Sequence, residues 1–327
     1  MNKHIILALK IILSGILLAY LLSIIPVNEI IESIISTNLF LFISGLLLVI
    51  PIIYLSAFET RYLTSIQGIN LSVWEIIKIH LATSFYGLFL PGILSAGAVK
   101  WYKFSRFGKK SAAAAVVVFN RFLEVLMIVF IGILASLPII YSSNNLKLFF
   151  ALAILFVSMI IFYILLFRNT GLDFIKKYLF ILPLPGSVKK ASGKFFDSML
   201  QFQNLSLKEH FKILGLLFLY HGIGVISFLL FAKSLNINLS IWSIAWIRSV
   251  MALSIILPLS FAGLGIREGT LVFLLYYHGI KSDISMALSF LFFSRNILTS
   301  LTGGLIELKE FIISKKRDAG TVKAVGE

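Results

Sequence analysis

The chain has 327 residues, 59% of them apolar and only 13% charged, with a mean hydropathy of +1.00. Soluble domains carry roughly 25% charged residues, and a helix crosses a bilayer core of about 30 Å with about twenty apolar residues, so this composition excludes an ordinary soluble protein and leaves room for roughly seven to ten spans. The formal charge of +15, 29 basic against 14 acidic residues, must then sit in the connections, and the absence of cysteine removes disulfides, thiolate metal sites and cysteine nucleophiles. Phosphate and anionic lipid headgroups are the natural partners of such a chain, and nucleic acid is a poor one, because no soluble basic domain remains to bind it.

In chain order, the first apolar stretch, residues 5–25, is interrupted by Lys10, ends at Pro26 and lacks a small-residue cleavage pattern. It reads as a retained span. A short amphipathic piece with Glu29 and Glu32 precedes a second span at 39–58, and residues 59–78 read as a polar loop. Residues 79–99 are apolar but hold Pro91-Gly92 and the small run Ser95, Ala96, Gly97 and Ala98, a texture that breaks a helix at membrane depth. Spans follow at 112–141 and 147–167. The polar stretch 168–212 comes next, its 187–212 part reading as a basic amphipathic surface helix with Phe195, Phe196, Met199 and Leu200 on the apolar side. After spans at 211–232 and 241–257, a second broken stretch runs to Arg267, followed by apolar stretches at 269–277 and 284–308 and a short polar tail at 313–327. The expected architecture is one all-α transmembrane bundle over residues 1–327, with about eight spans and one or two re-entrant segments.

Lysine and arginine concentrate at Lys100, Lys103, Arg106, Lys109 and Lys110, along 168–212, and at Lys315. The other connections hold Lys147, Lys233 and Lys281, offset by Glu29, Glu32 and Asp283. By the positive-inside rule the rich segments are cytoplasmic, as are both termini. Parity then requires 79–99 to enter and leave on one side, as a re-entrant hairpin whose irregular backbone must line a site or be buried in protein.

The two broken stretches resemble each other. Leu90-Pro-Gly-Ile-Leu-Ser-Ala-Gly-Ala-Val-Lys100 and Leu257-Pro-Leu-Ser-Phe-Ala-Gly-Leu-Gly-Ile-Arg267 both open with Leu-Pro, pass through small residues and reach a basic residue nine positions after the proline. Matched interruptions in two halves point to a midplane site in duplicated transporters, with Pro91, Gly92, Gly97, Pro258, Gly263 and Gly265 as cavity backbone or hinges. Half-helices starting after such breaks aim free N–H groups at an anion.

Intramembrane charges cost at least ~2.5–3.5 kcal/mol each on insertion scales, so they face the bundle interior. Arg121, Arg248, Arg267 and Arg295 outnumber Glu124 and Glu268, and the surplus suggests an anionic ligand, because guanidinium binds phosphate bidentately. Arg121 with Glu124, three residues on, also reads as a packing ion pair, and Arg248 as a snorkelling side chain. Lys100 joins the candidate headgroup ligands, and Glu124 and Glu268 are the candidate proton carriers. His80 and His221 read as buried structural histidines. No spacing suits a metal, and Gly263-Leu-Gly265 with Glu268 lacks the third glycine and the strand of a dinucleotide loop. No cofactor is expected.

These residues resemble the lysylphosphatidylglycerol synthase transmembrane region, the flippase-like integral membrane family: Gly-Leu-Gly-Ile-Arg-Glu ending at Glu268, the earlier Phe-Leu-Pro-Gly stretch before a basic loop, and Asn120-Arg121 with an acid soon after. The resemblance covers nearly the whole chain, although Ser95-Ala96-Gly97-Ala98 departs from the family's commoner second glycine and acid. It implies a translocating module for anionic phospholipid or polyprenyl-linked lipid in the cell membrane, here without the soluble aminoacyl transferase domain of the bifunctional members and so without an expected enzyme activity. Two other classes compete. One is a membrane enzyme on a lipid-linked sugar, for which Glu29 and Glu32 offer little. The other is a scaffold that docks a cytoplasmic lipid-modifying enzyme or glycosyltransferase through 168–212.

Overall fold

A computed structural model describes residues 12, 15–16, 19–89, 93–143, 146–167, 171, 176–178, 181, 183, 185–256 and 263–324. Among the described residues every regular element is helical. The expected span at 5–25 falls mostly outside them, as do Pro91, Gly92 and Pro258.

Helix α1 (Val27–Ile35) starts after Pro26 and buries Ile30 against Met286. The Ser33 hydroxyl ties it to Asp283 Oδ2 at 3.2 Å. Helix α2 (Leu39–Leu47) is capped by Asn38, whose side chain accepts from the Leu41 amide at 3.1 Å. It is followed, after Leu48, by α3 (Val49–Ile66), and together they form one 28-residue apolar run, Leu39–Ile66. Its outer residues Phe40 and Ile50 are exposed, as a lipid-facing surface requires. The polar loop expected at 59–78 is therefore largely helix, because Glu59, Thr60 and Thr64 turn inward and are buried by neighbouring helices. Only 67–72 connects α3 to α4 (Val73–Phe89). Ser72 and Glu75 cap the start of α4 reciprocally.

Helix α4 breaks before α5 (Ile93–Ser105). A Cβ on Gly87 would lie 3.4 Å from that of Ala96 near the break, and Glu75 and Lys78 share a groove with Lys103 and Arg106 at the far ends. The arms thus run antiparallel, with the start of α4 and the end of α5 together. The long α6 (Lys110–Ser143) follows, then α7 (Leu146–Phe167). Helix α8 (Gly186–Leu200) uses its apolar side against α6 rather than at a lipid surface: Met199 is buried, and Phe195, Phe196 and Leu200 pack on the core. A 3-10 turn (Gln201–Asn204) stacks Phe202 on Phe119 at 4.3 Å. Residues 207–212, expected in the surface helix, instead open α9 (Leu207–Ser234) under a Ser206–Glu209 capping box.

Helices α10 (Ile241–Ile256) and α11 (Ile266–Tyr276) repeat the hairpin. The Thr270 hydroxyl donates to Ser254 Oγ at 3.0 Å across the arms. Two of the eight expected crossings, 241–257 and 269–277, are these arms. Gly263 and Gly265, at φ +78° and +81°, make the turn into α11, a conformation that side chains with a Cβ avoid. The chain ends in α12 (Ser282–Ala324), so the helix continues through most of the expected tail.

Leu39–Ile66, Lys110–Pro138, Leu207–Ser234 and Ser282–Ile313 are long and apolar enough to cross a bilayer, with Ala153–Ile164 and Ile241–Ile256 as shorter apolar helices. The protein is a multi-pass helical membrane bundle. Its packing is pseudo-symmetric. The first arm of each hairpin lies on the long helix that follows the other hairpin, α4 on α12 and α10 on α6, while the second arms, α5 and α11, lie on their own following helices, α6 and α12. Close approach of α4 and α12 depends on Gly303, where a Cβ would collide with the Leu81 carbonyl.

Candidate functional site

Three polar clusters hold the sequence candidates. In the second half Arg267 and Glu268 are 1% and 0% exposed and form an ion pair. The Arg267 Nε also donates to Ser289 Oγ of α12 at 2.9 Å, and that hydroxyl donates to Glu268 Oε1 at 3.0 Å. Glu268 Oε2 accepts from the Gly265 amide at 2.7 Å, and the Arg267 guanidinium lies 4.4 Å over the Phe293 ring. Every acceptor on Glu268 is thus used inside the protein. The cluster locks the turn into α11 to α12.

The first half holds a related but looser arrangement. Lys100 of α5, the positional counterpart of Arg267, donates from Nζ to Asn120 Oδ1 of α6 at 2.9 Å. The other end of that amide, Nδ2, donates to Glu59 Oε2 of α3 at 2.9 Å, and Thr60 adds a bond at 3.3 Å. Glu59 is 1% exposed, and its Oε1 has no hydrogen-bond partner among the described residues. Gly97, an expected hinge, sits one turn before Lys100 in α5, facing Val117 of α6.

The third cluster spans α6, α9, α10 and α12. Arg248 on α10 lies within the field of Arg295 on α12, and Tyr220 of α9 acts on both. Neither has a carboxylate within 4.0 Å among the described residues, and Arg248 Nε is buried without a hydrogen-bond partner. The Arg248 guanidinium lies across Gly224 of α9, where a Cβ would collide with its Nη2 and lie 3.0 Å from Cζ. Arg295 stacks on Phe292, 4.5 Å from its centroid. Tyr220 of α9 feels the charges of Glu124, Arg248, Arg295 and Arg121. Arg121 and Glu124 form an ion pair at 3.0 Å with the Arg121 side chain 42% exposed. Of the sequence candidates, then, Arg121, Glu124, Arg248 and Arg295 gather in one region; Lys100 braces the first hairpin within the field of Arg121 and Glu124, and the Arg267–Glu268 pair braces the second.

Sequence reading missed Glu59, placed in a loop, and gave no role to Asn120, Tyr220 or Ser289. Glu59 was findable: it continues an apolar helical run, and Thr60, Leu63 and Thr64 extend the same inward stripe. His221 is buried and His80 half-buried; His80 Nδ1 lies 3.5 Å from Ser56 Oγ, and His221 packs edge-on to Tyr220. Among the described residues no three His, Asp or Glu side chains are grouped to hold a metal. A groove of about 860 Å³ lies elsewhere, between α4, α5 and α12, beside the Lys103–Glu307 ion pair and Arg106.

Compared with known proteins, the chain matches the family model described as lysylphosphatidylglycerol synthase TM region over residues 6–304. No curated protein and no solved structure matches it.

Proposed function

The chain belongs to the lysylphosphatidylglycerol synthase transmembrane-region family, which places it among membrane proteins of lipid metabolism or transport, and we propose that it is a lipid translocase binding an anionic headgroup at Arg248 and Arg295. The observation that carries this reading is the pair itself: two like charges in the bundle, Arg248 within the field of Arg295, and neither with a carboxylate within 4.0 Å among the described residues. Such a pair repels itself and is costly at membrane depth. A phosphate relieves both terms at once by accepting bidentate hydrogen bonds from each guanidinium. Tyr220 supplies a hydroxyl beside it, and Arg121, partly exposed and held by Glu124, provides an outer contact.

In this reading Arg267 and Lys100 do not touch the headgroup. They anchor the two hairpins to α12 and α6, so the hairpins move as units when the halves rock around the site. The lipid is an anionic phospholipid or a polyprenyl-phosphate-linked lipid, its chains remaining in the bilayer. The membrane is the cell membrane, with both termini and the basic 168–212 segment on the cytoplasmic side.

Native mass spectrometry of the purified chain with co-isolated lipids tests this. Wild type is expected to retain one anionic lipid class, and an Arg248→Gln, Arg295→Gln double variant to lose at least about tenfold of that retention. Translocation of a fluorescent analogue of that lipid in proteoliposomes should fall in parallel. Equal, unselective retention by both proteins overturns the assignment.

A further inference from the structure

We propose that Glu59 is a proton-binding site that couples protonation to movement of the first hairpin. The carboxyl group is carried by α3, is 1% exposed and meets Asn120 of α6. Its Oε2 is satisfied by Asn120 and Thr60, but Oε1 is buried with no partner among the described residues. No basic side chain lies within 4.0 Å of it among the described residues. Helix α4, which packs on α3, carries two more buried polar atoms without partners among the described residues, His80 Nε2 and Thr83 Oγ1. An ionised carboxylate left this way costs several kcal/mol, whereas the acid form is neutral. The fold therefore accepts Glu59 with a proton.

Charged and titratable groups sit on the elements around α3, and Lys100 and Glu124 act on the carboxyl itself. On α4 there is His80, 3.5 Å from Ser56 of α3; on α5 there is Lys100; and on α6 there is Glu124, whose field opposes that of Lys100 at the carboxyl. Helix α9 presents Lys212, 4.7 Å over the Tyr62 ring, and Glu209, which accepts the Tyr62 hydroxyl at 2.5 Å. Only Lys100 is an opposite charge poised on the same amide. Asn120 stands between the two, its NH₂ on the carboxyl and its carbonyl on the ammonium.

That spacer makes two states. With the proton on Glu59, Asn120 bridges an acid and an ammonium held apart. When the proton leaves to water, the carboxylate attracts Lys100 directly, Asn120 is displaced, and α5 is drawn toward α3. Since α5 is one arm of the hairpin, proton loss becomes hairpin motion. The link to the arginines runs through Glu124, which acts on Glu59, Lys100 and Tyr220. Negative charge arriving at Arg248 and Arg295 favours the protonated acid, and by reciprocity the proton favours the anion. Proton and headgroup are expected to travel together.

The proton site stands on the geometry of Glu59 alone; its coupling to lipid rests on the translocase reading. Infrared spectroscopy of the purified full chain across a pH series tests the first part. Wild type should show the carbonyl band of a protonated carboxylic acid at neutral pH, Glu59→Gln should lack it, and Glu124→Gln should keep it. Lys100→Gln, which removes the competing ammonium, should keep the band to higher pH. A wild type without the band, or a Glu59→Gln variant that retains it, overturns the proposal, and the wild-type arm decides even if a variant fails to fold. For the coupling, a one-unit pH gradient across proteoliposomes should bias distribution of the transported lipid by up to about tenfold in wild type, with one proton coupled, and not in Glu59→Gln. Unchanged gradient dependence in Glu59→Gln overturns the coupling. If wild type moves no lipid at all, the translocase reading fails instead, while the infrared result still decides the proton site.

Discussion

The two hairpins share a topology and differ in their electrostatics. Each places a basic residue on its second arm and hands it to a polar side chain on the next long helix, Lys100 to Asn120 and Arg267 to Ser289. In the second hairpin the acid is the adjacent residue in sequence, so cation and anion meet directly and the remaining acceptors are taken by Ser289 and the Gly265 amide. In the first the acid arrives from another helix, and an amide separates it from the cation. A collapsed pair is a strut, because breaking it leaves a charge buried alone; a spaced pair can change state.

The largest expected effect tests the strut. Glu268→Ala should cost about 3–5 kcal/mol of stability by leaving the Arg267 guanidinium buried and unpaired. Thermal unfolding in detergent measures it, and an Arg267→Met, Glu268→Ala double variant should recover most of the loss. If Glu268→Ala melts like wild type, the second hairpin is no more locked than the first. Next comes Asn120→Leu, which strips partners from both Lys100 and Glu59. A loss of about 1–3 kcal/mol is expected, smaller because the acid has a neutral form available. A cost equal to that of Glu268→Ala would make the two clusters equivalent.

A smaller effect falls on the arginines of the third cluster. Gly224→Ala should push the Arg248 side chain off its rotamer by about 1 kcal/mol, read as roughly fivefold weaker retention of anionic lipid with little change in melting temperature. Retention at the wild-type level would separate Arg248 from the headgroup. Smallest of all is Arg121→Gln, whose exposed ion pair with Glu124 should contribute no more than about 1 kcal/mol to stability. A larger loss in the same melting assay would place Arg121 with the struts.

Much of this comparison was legible before folding was considered. The paired Leu-Pro openings with a basic residue nine positions later mark both breaks, and the parity of basic loops requires the first to be a hairpin. The arginine surplus was countable. The starts of α4 and α9, at Ser72 and Ser206, lay inside stretches read as a loop and a surface helix; their Ser-x-x-Glu boxes are the signal that hydropathy passed over. Glu59 escaped because hydropathy averages a buried acid and its threonines into a polar window indistinguishable from a loop. The 187–212 helix misled for the opposite reason: an apolar face shows that something is covered, not whether protein or lipid covers it.

Composition and pattern determined the environment and the element type, since apolar content on this scale demands a bilayer, and a bilayer demands helices whose interruptions are sheltered. Which charges pair was decided only by tertiary structure. Glu59 meets Asn120 across 61 residues of chain, and Arg248 lies across Gly224 of another helix, whereas Arg267 finds Glu268 beside it. Helical periodicity tells which face a side chain occupies; the neighbour opposite that face, and with it the difference between a strut, a proton site and an unpaired arginine, comes from how the helices pack.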